Sequence, residues 1–174
     1  MSASATMPYF IKPSRNLTSE EKRVAYDQAR RAILSILGDE EDETVKMVTV
    51  NCLLKTYLPY YYWVGFYLVR GENKLVVGPY QGTLGCLYIN FGRGVCGTVA
   101  ASGETKIVTD THALEEGKEH IACDPNSRSE IVLPVRRADG SLLGVFDVDS
   151  SLESSFDTID QEALERLLAL VFGS

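Results

Sequence analysis

Nowhere in this chain do apolar residues run for the roughly 20 positions that a membrane-crossing helix needs. The opening MSASATMPYFIKPSRN also lacks the charged and apolar regions of a secretory signal. The expectation is a cytoplasmic protein with no membrane segment. Basic residues are scarce as well: 17 Lys and Arg stand against 24 Asp and Glu, a formal charge of −7, with no basic run beyond Arg30-Arg31 and Arg136-Arg137. Such a surface offers no electrostatic footprint to nucleic acid. Paired metal-ligand spacings are missing too. Neither C-x-x-C nor H-x-x-x-H occurs, so no metal centre is expected from Cys86, Cys96, Cys123, His112 and His120. The glycine-rich GRGVCG at 92–97 has neither the spacing nor the lysine of a phosphate loop.

What is present fits one domain. A chain of 174 residues with 45% hydrophobic and 24% charged content can bury a sizeable core, and the expected division is a polar arm over 1–16 followed by a single domain over 17–174. Thr18-Ser-Glu-Glu21 reads as a capping box that opens a helix running to Leu37, with Val24, Ala25, Ala29, Ala32, Ile33 and Ile36 on its apolar side and Gly38 as its stop. The acidic DEEDE at 39–43 leads into a second helix whose apolar side carries Val45, Val48, Cys52 and Leu53, ending near Tyr57. In that stripe Cys52 is expected to be a small inert hydrophobe.

From residue 60 the period changes. YYYWVGFYLV is rich in aromatic and β-branched residues and stops at RGEN, so it predicts a strand with KLVVGPY returning beside it. A short strand and a helix over about Val95–Ser102 follow within YINFGRGVCGTVAASGE, then the brief strand KIVTD. Residues 109–128 show no clear element and are a candidate lid. FDTIDQEALERLLALVF closes the chain as an amphipathic helix capped by Asp157 or Ser155.

The most informative pair is SEIVLPVRR and SLLGVFDVD, which flank Ala138-Asp139-Gly140. Asp-Gly is a strong signal for a two-residue hairpin turn. With Asp139 and Gly140 as the turn, opposed residues sum to 279: Leu133 meets Phe146, Ile131 meets Val148 and Glu130 meets Asp149. The apolar pairs share one face, while Glu130, Val132, Asp147 and Asp149 occupy the other, with Asp147 and Asp149 roughly 7 Å apart along the strand. Like charges opposed on a sheet are unfavourable, so the arrangement points to a resident cation, proton or ligand. A three-residue turn would slip the register and scatter the acids.

Helices at both ends and a central antiparallel sheet define an α+β fold. The order of elements, with GRGVCG, HIACD, SEIVLPV, GVFDVDS and a following F-D-x-x-D, closely resembles the free methionine-(R)-sulfoxide reductases, a single-domain branch of the GAF family. The resemblance covers about residues 20–172. It implies a six-stranded antiparallel GAF sheet with the N- and C-terminal helices on one face, a closed pocket, and reduction of free rather than protein-bound methionine sulfoxide. It further implies no bound cofactor, recycling by thioredoxin with NADPH through thioredoxin reductase, and a homodimer, with the N-terminal helices as its contact.

Sulfoxide reduction needs a nucleophile at sulfur while the oxygen is protonated, and a thiolate with a positioned acid supplies both. A second thiol then condenses with the sulfenic acid to give a disulfide. On the resemblance Cys123 is the nucleophile and Cys86 its resolving partner. Cys96, which Gly94 and Gly97 place at a helix N-terminus where the dipole favours a thiolate, remains open as the attacking thiol. Glu130, Asp147 and Asp149 suit the substrate ammonium, and Asp147 or Asp149, kept protonated by its neighbours, suits the proton donor. Trp63 and Tyr67 lie on one side of their strand as a wall for the S-methyl group. The rival expectation is a non-enzymatic GAF domain that senses a small ligand.

Overall fold

Helix α1 spans Ser19–Leu37 and opens as its sequence requires. The Thr18 hydroxyl accepts from the Glu21 amide, and the Glu21 carboxylate accepts from the Thr18 amide at 2.8 Å. Its inward face holds Ala25, Ala29 and Ile33 as expected, but is rotated at its edges. Lys22, Ala25, Tyr26, Ala29 and Ile33 are buried, whereas Val24 and Ile36 face solvent. Helix α2 (Glu43–Tyr57), capped by Asp42, turns further from expectation: Met47, Val50, Asn51 and Leu54 point inward, and Val45, Val48 and Cys52 are exposed. The reason is the same in both helices. A polar residue interrupts the true inward stripe because it has a buried partner: Lys22 pairs with acids, and the Asn51 amide donates to the Pro79 carbonyl at 2.8 Å. Cys52 is therefore not a packed core residue.

The computed structural model describes residues 14–114 and 125–173, so residues 1–13 of the expected arm and 115–124 of the expected lid lie outside the described residues. After the two helices come β1 (Trp63–Val69), β2 (Lys74–Gln81), β3 (Tyr88–Asn90), α3 (Gly94–Ser102), β4 (Lys106–Val108), a short 3-10 turn at Thr111–Ala113, β5 (Ser129–Arg136), β6 (Leu142–Ser150) and α4 (Thr158–Phe172). The strands form one sheet in the order β3-β2-β1-β6-β5-β4, each neighbouring pair antiparallel. This is the expected six-stranded α+β architecture.

Period-two alternation sends each strand's side chains to two cores. Val64, Phe66, Ile131, Leu133, Phe146 and Val148 pack beneath α1, α2 and α4. On the opposite face Trp63, Tyr67, Val132 and Val145 pack with Val95, Cys96 and Val99 of α3. The terminal helices thus cover one face and leave the other to the acids.

The β5–β6 hairpin reaches the expected register by an unexpected route. Arg137 pairs with Ser141 through its amide at 3.0 Å, and the Gly140 amide, at φ 82°, donates to the Arg137 carbonyl, so the turn has three residues rather than two. Arg136 then opposes Leu142. One position further on, Val135 opposes Gly144, because Leu143 is an extra residue in the pairing. The bulge restores the sum of 279, and Leu133 meets Phe146, Val132 meets Asp147 and Glu130 meets Asp149.

Lys22 is the keystone between the chain ends. Its ammonium donates to Asp160 at 2.5 Å, Asp157 at 2.8 Å and the Ser155 carbonyl at 2.7 Å, while Asp160 also accepts from Tyr26 at 2.7 Å and Tyr60 at 2.5 Å. Removing one partner of a buried pair leaves the other charge stranded, at a cost of about 3–5 kcal/mol. Lys22→Ala is accordingly expected to lower the melting temperature by roughly 6 °C or more, at about 2–4 °C per kcal/mol for a domain of this size. Calorimetry showing a shift below roughly 2 °C would remove the pair from the fold's support.

Candidate active site

Three adjacent strands and one helix deliver the site. On β6, Asp147 lies between Gly65 of β1 and Val132 of β5, and Asp149 lies between Trp63 and Glu130. Helix α3 then lowers Cys96 onto them. This approach needs a residue without a side chain at 97: a Cβ there would sit 2.2 Å from the Asn90 carbonyl oxygen. Glu130, Asp147 and Cys96 are 5%, 6% and 4% exposed, and a donor atom from each lies within 4.8 Å of the others.

Burial governs the protonation of this trio. Loss of water raises the Glu130 carboxyl well above the usual range, with repulsion from Asp147 and Asp149 adding to it. Burial likewise raises Asp147, then repulsion from Asp149, against hydrogen bonds from Cys96 and Glu130 that favour its charged form. Asp147 Oδ1 has no hydrogen-bond partner among the described residues. The Cys96 thiol is pushed up by burial and then by Asp147 and Glu130. Its position at the start of α3 is as expected, but the favoured thiolate is not: two nearby acids and the loss of water outweigh a helix dipole. Cys96 stays a thiol and donates to Asp147.

An aromatic wall stands beside the acids. The rings of Tyr80, Trp63 and Tyr67 stack in series, with centroids 5.2 Å and 5.7 Å apart and planes inclined by 17° and 19°. The Trp63 indole N–H donates to the Thr83 carbonyl at 2.9 Å, and the Tyr67 hydroxyl accepts from the Cys86 amide. The wall therefore holds the loop that bears Cys86. Cys86 is disulfide-bonded, whereas Cys52 and Cys96 are free.

Trp63, Tyr67, Cys96, Glu130, Asp147 and Asp149 line one pocket, and Gly85 brings the Cys86 loop to its rim. Cys123 and His120 lie outside the described residues; His112 is exposed, its ring 3.2 Å from the Pro125 carbonyl. Sequence reasoning missed Ser127, whose hydroxyl donates to Asp149, and Arg93, which also lines the pocket. Ser127 is held from behind, its carbonyl accepting from Thr111 at 2.8 Å. Nothing in chain spacing pairs Ser127 with Asp149. Arg93 did carry a signal, as a cation between two glycines directly before a helix.

Residues 60–171 match the GAF domain family. A free methionine-R-sulfoxide reductase of Escherichia coli is 35% identical over 144 residues, covering 83% of this chain and 84% of that protein. The X-ray structure of free methionine-R-sulfoxide reductase from Neisseria meningitidis in complex with its substrate superposes with a TM-score of 0.80 at 37% identity, over 92% of this chain and 93% of that one. A putative GAF sensor protein from Burkholderia vietnamiensis is also similar, at 39% identity and TM-score 0.75, over 88% and 92%. The chain belongs to the free methionine-R-sulfoxide reductase family of GAF-domain proteins and is an oxidoreductase.

Proposed function

We propose that the protein reduces free methionine-(R)-sulfoxide to methionine by thiol chemistry. The observation that carries this reading is the pair of buried, mutually repelling carboxyls facing a stacked aromatic wall in one pocket. Two such acids cannot both ionise, so the pocket holds a proton ready for a sulfoxide oxygen. In the reaction the Cys123 thiolate bonds to the sulfoxide sulfur as Asp147 protonates the oxygen, the S–O bond breaks, and that oxygen, as water or hydroxide, then attacks the cysteine sulfur. The S–S bond breaks with its electron pair going to methionine, which leaves reduced by two electrons while Cys123, oxidised by two, remains as a sulfenic acid. Cys86 then attacks that sulfur, water departs, and a Cys86–Cys123 disulfide forms. The disulfide at Cys86, on the pocket rim, supports its assignment as the resolving thiol.

Asp149, oriented by Ser127, takes the substrate ammonium; Arg93, beside the N-terminus of α3, takes the carboxylate; and Trp63 and Tyr67 cover the S-methyl group and exclude water. An external dithiol, thioredoxin in the cytoplasm, returns the disulfide to two thiols and is itself oxidised. Leu87 and Tyr88, 59% and 64% exposed, follow Cys86 in the chain and offer an apolar surface beside it to a protein reductant. Solvent-facing Val24, Ile36, Val45 and Val48 on α1 and α2 suit a homodimer contact.

Counting thiols separates this reading from a ligand sensor. The reduced protein, given one equivalent of free methionine-(R)-sulfoxide, is expected to lose two thiols and yield one methionine. The S epimer and peptide-bound sulfoxide should consume none. A protein that binds the sulfoxide yet keeps every thiol is a sensor, and the reductase reading falls.

A further inference from the structure

The pocket presents a donor set that a sulfoxide reaction alone does not require: one sulfur and two carboxylates, from three different elements, converging at buried side chains. From this geometry we infer that Cys96, Glu130 and Asp147 form a binding site for a thiophilic divalent cation of the zinc class. Their donor atoms lie within 4.8 Å of one another. Ligand atoms on one tetrahedral zinc, bonded at about 2.0–2.3 Å, sit roughly 3.5 Å apart, so small side-chain rotations complete three corners. A fourth position would be left for water.

A second observation falls on the same residue. Asp147 lines the pocket and is only 6% exposed, and its buried Oδ1 lacks a hydrogen-bond partner among the described residues. A buried polar atom left this way is costly, and a cation repays it. Two cations of the chain stand near: Lys106 on β4 acts on Glu130, and Arg93 lines the same pocket. The influences on Asp147 are burial, Asp149, Cys96 and Glu130, with neither cation among them.

The ligand types select the metal. Mg²⁺ and Ca²⁺ demand all-oxygen shells and gain little from sulfur, whereas zinc accepts thiolate and carboxylate together. Binding would release the Cys96 proton and those held by the two acids, and the divalent charge would offset the repulsion among them. Gly97, which permits the close seating of Cys96, serves this site as much as the packing of α3. The cation would occupy the carboxylates that the proposed function assigns to proton donation, next to the Asp149 ammonium site. Zinc and methionine sulfoxide would then exclude each other, and this consequence, unlike the site itself, rests on that proposed function.

Cobalt(II) reads the site without any assay of activity. The probe is a Cys52→Ala protein with the Cys86 disulfide intact, in which Cys96 is the free thiol among the described residues. Titration with Co²⁺ is expected to give one equivalent of a near-ultraviolet thiolate-to-cobalt band with tetrahedral visible bands, both removed by Zn²⁺. The band should vanish in Cys52→Ala/Cys96→Ser. Asp147→Asn, an isostere whose fold circular dichroism checks, should bind about tenfold or more weakly, since even outer-shell partners of a metal are worth 10–100-fold. No band at saturating Co²⁺, or an undiminished band without Cys96, overturns the inference. Displacement of Co²⁺ by free methionine-(R)-sulfoxide supports both readings. A stoichiometric band that sulfoxide leaves untouched upholds the cation site and counts against the substrate placement instead.

Discussion

Cys123→Ser is expected to abolish NADPH-linked turnover of free methionine-(R)-sulfoxide in the presence of thioredoxin and its reductase, by at least about 10³-fold. A serine hydroxyl is far too weakly acidic to present an anion near neutral pH, and it cannot pass through a sulfenic acid to a disulfide, so both the attack and the recycling are lost. Cys96→Ser should be much milder. The Cys96 thiol is buried beside Asp147 and Glu130, which hold it protonated and hydrogen-bonded rather than ready to attack. The paired measurement assigns the nucleophile: full turnover in Cys123→Ser with none in Cys96→Ser would exchange the two roles.

Asp147→Asn should lower kcat by about 10²–10⁴-fold, the usual worth of a positioned acid, and should at the same time make the protein more stable. Asp147 and Glu130 hold protons more tightly in the folded chain than at their ordinary values of 3.8 and 4.5. Their contribution to stability is thus fully present below those values and is lost as pH rises through the raised folded values. Replacing Asp147 with a neutral amide removes part of that loss. At neutral pH the variant should melt at a higher temperature than wild type, and its stability should fall less steeply as pH rises above about 4. Asp149→Asn separates binding from chemistry, because losing a charge-assisted bond of about 1.5–3 kcal/mol to the ammonium raises KM by about tenfold or more. A native kcat in Asp147→Asn, or a variant less stable than wild type at neutral pH, would remove Asp147 from the proton-donor role.

How much of this could be read from the chain depends on whether the signal was local. Caps, strand periods and the one-sided placement of Trp63 and Tyr67 follow from neighbours a few residues away, and the structure has them all. On α1 the sequence placed Ala25, Ala29 and Ile33 inward, as found, but the edges of that face and the inward side of α2 were not legible, because the deciding residues, Lys22 and Asn51, look like surface until their distant partners are in place. The acidic face was reached with a turn one residue too short, and the bulge at Leu143 cancelled the error. Ser127 stayed hidden because it lies just before β5, outside any strand whose register would place it, and its partner Asp149 is 22 residues on across the hairpin.

That bulge has a further consequence for how the molecule tolerates change. Beyond Leu143 the pairing returns to the phase that holds Glu130 beside Asp149, because the extra residue of the bulge offsets the extra residue of the turn at Ala138–Gly140. The two irregularities work as a matched pair of shims: a tip shortened by one residue keeps the reacting groups at their spacing only if the bulge is removed with it.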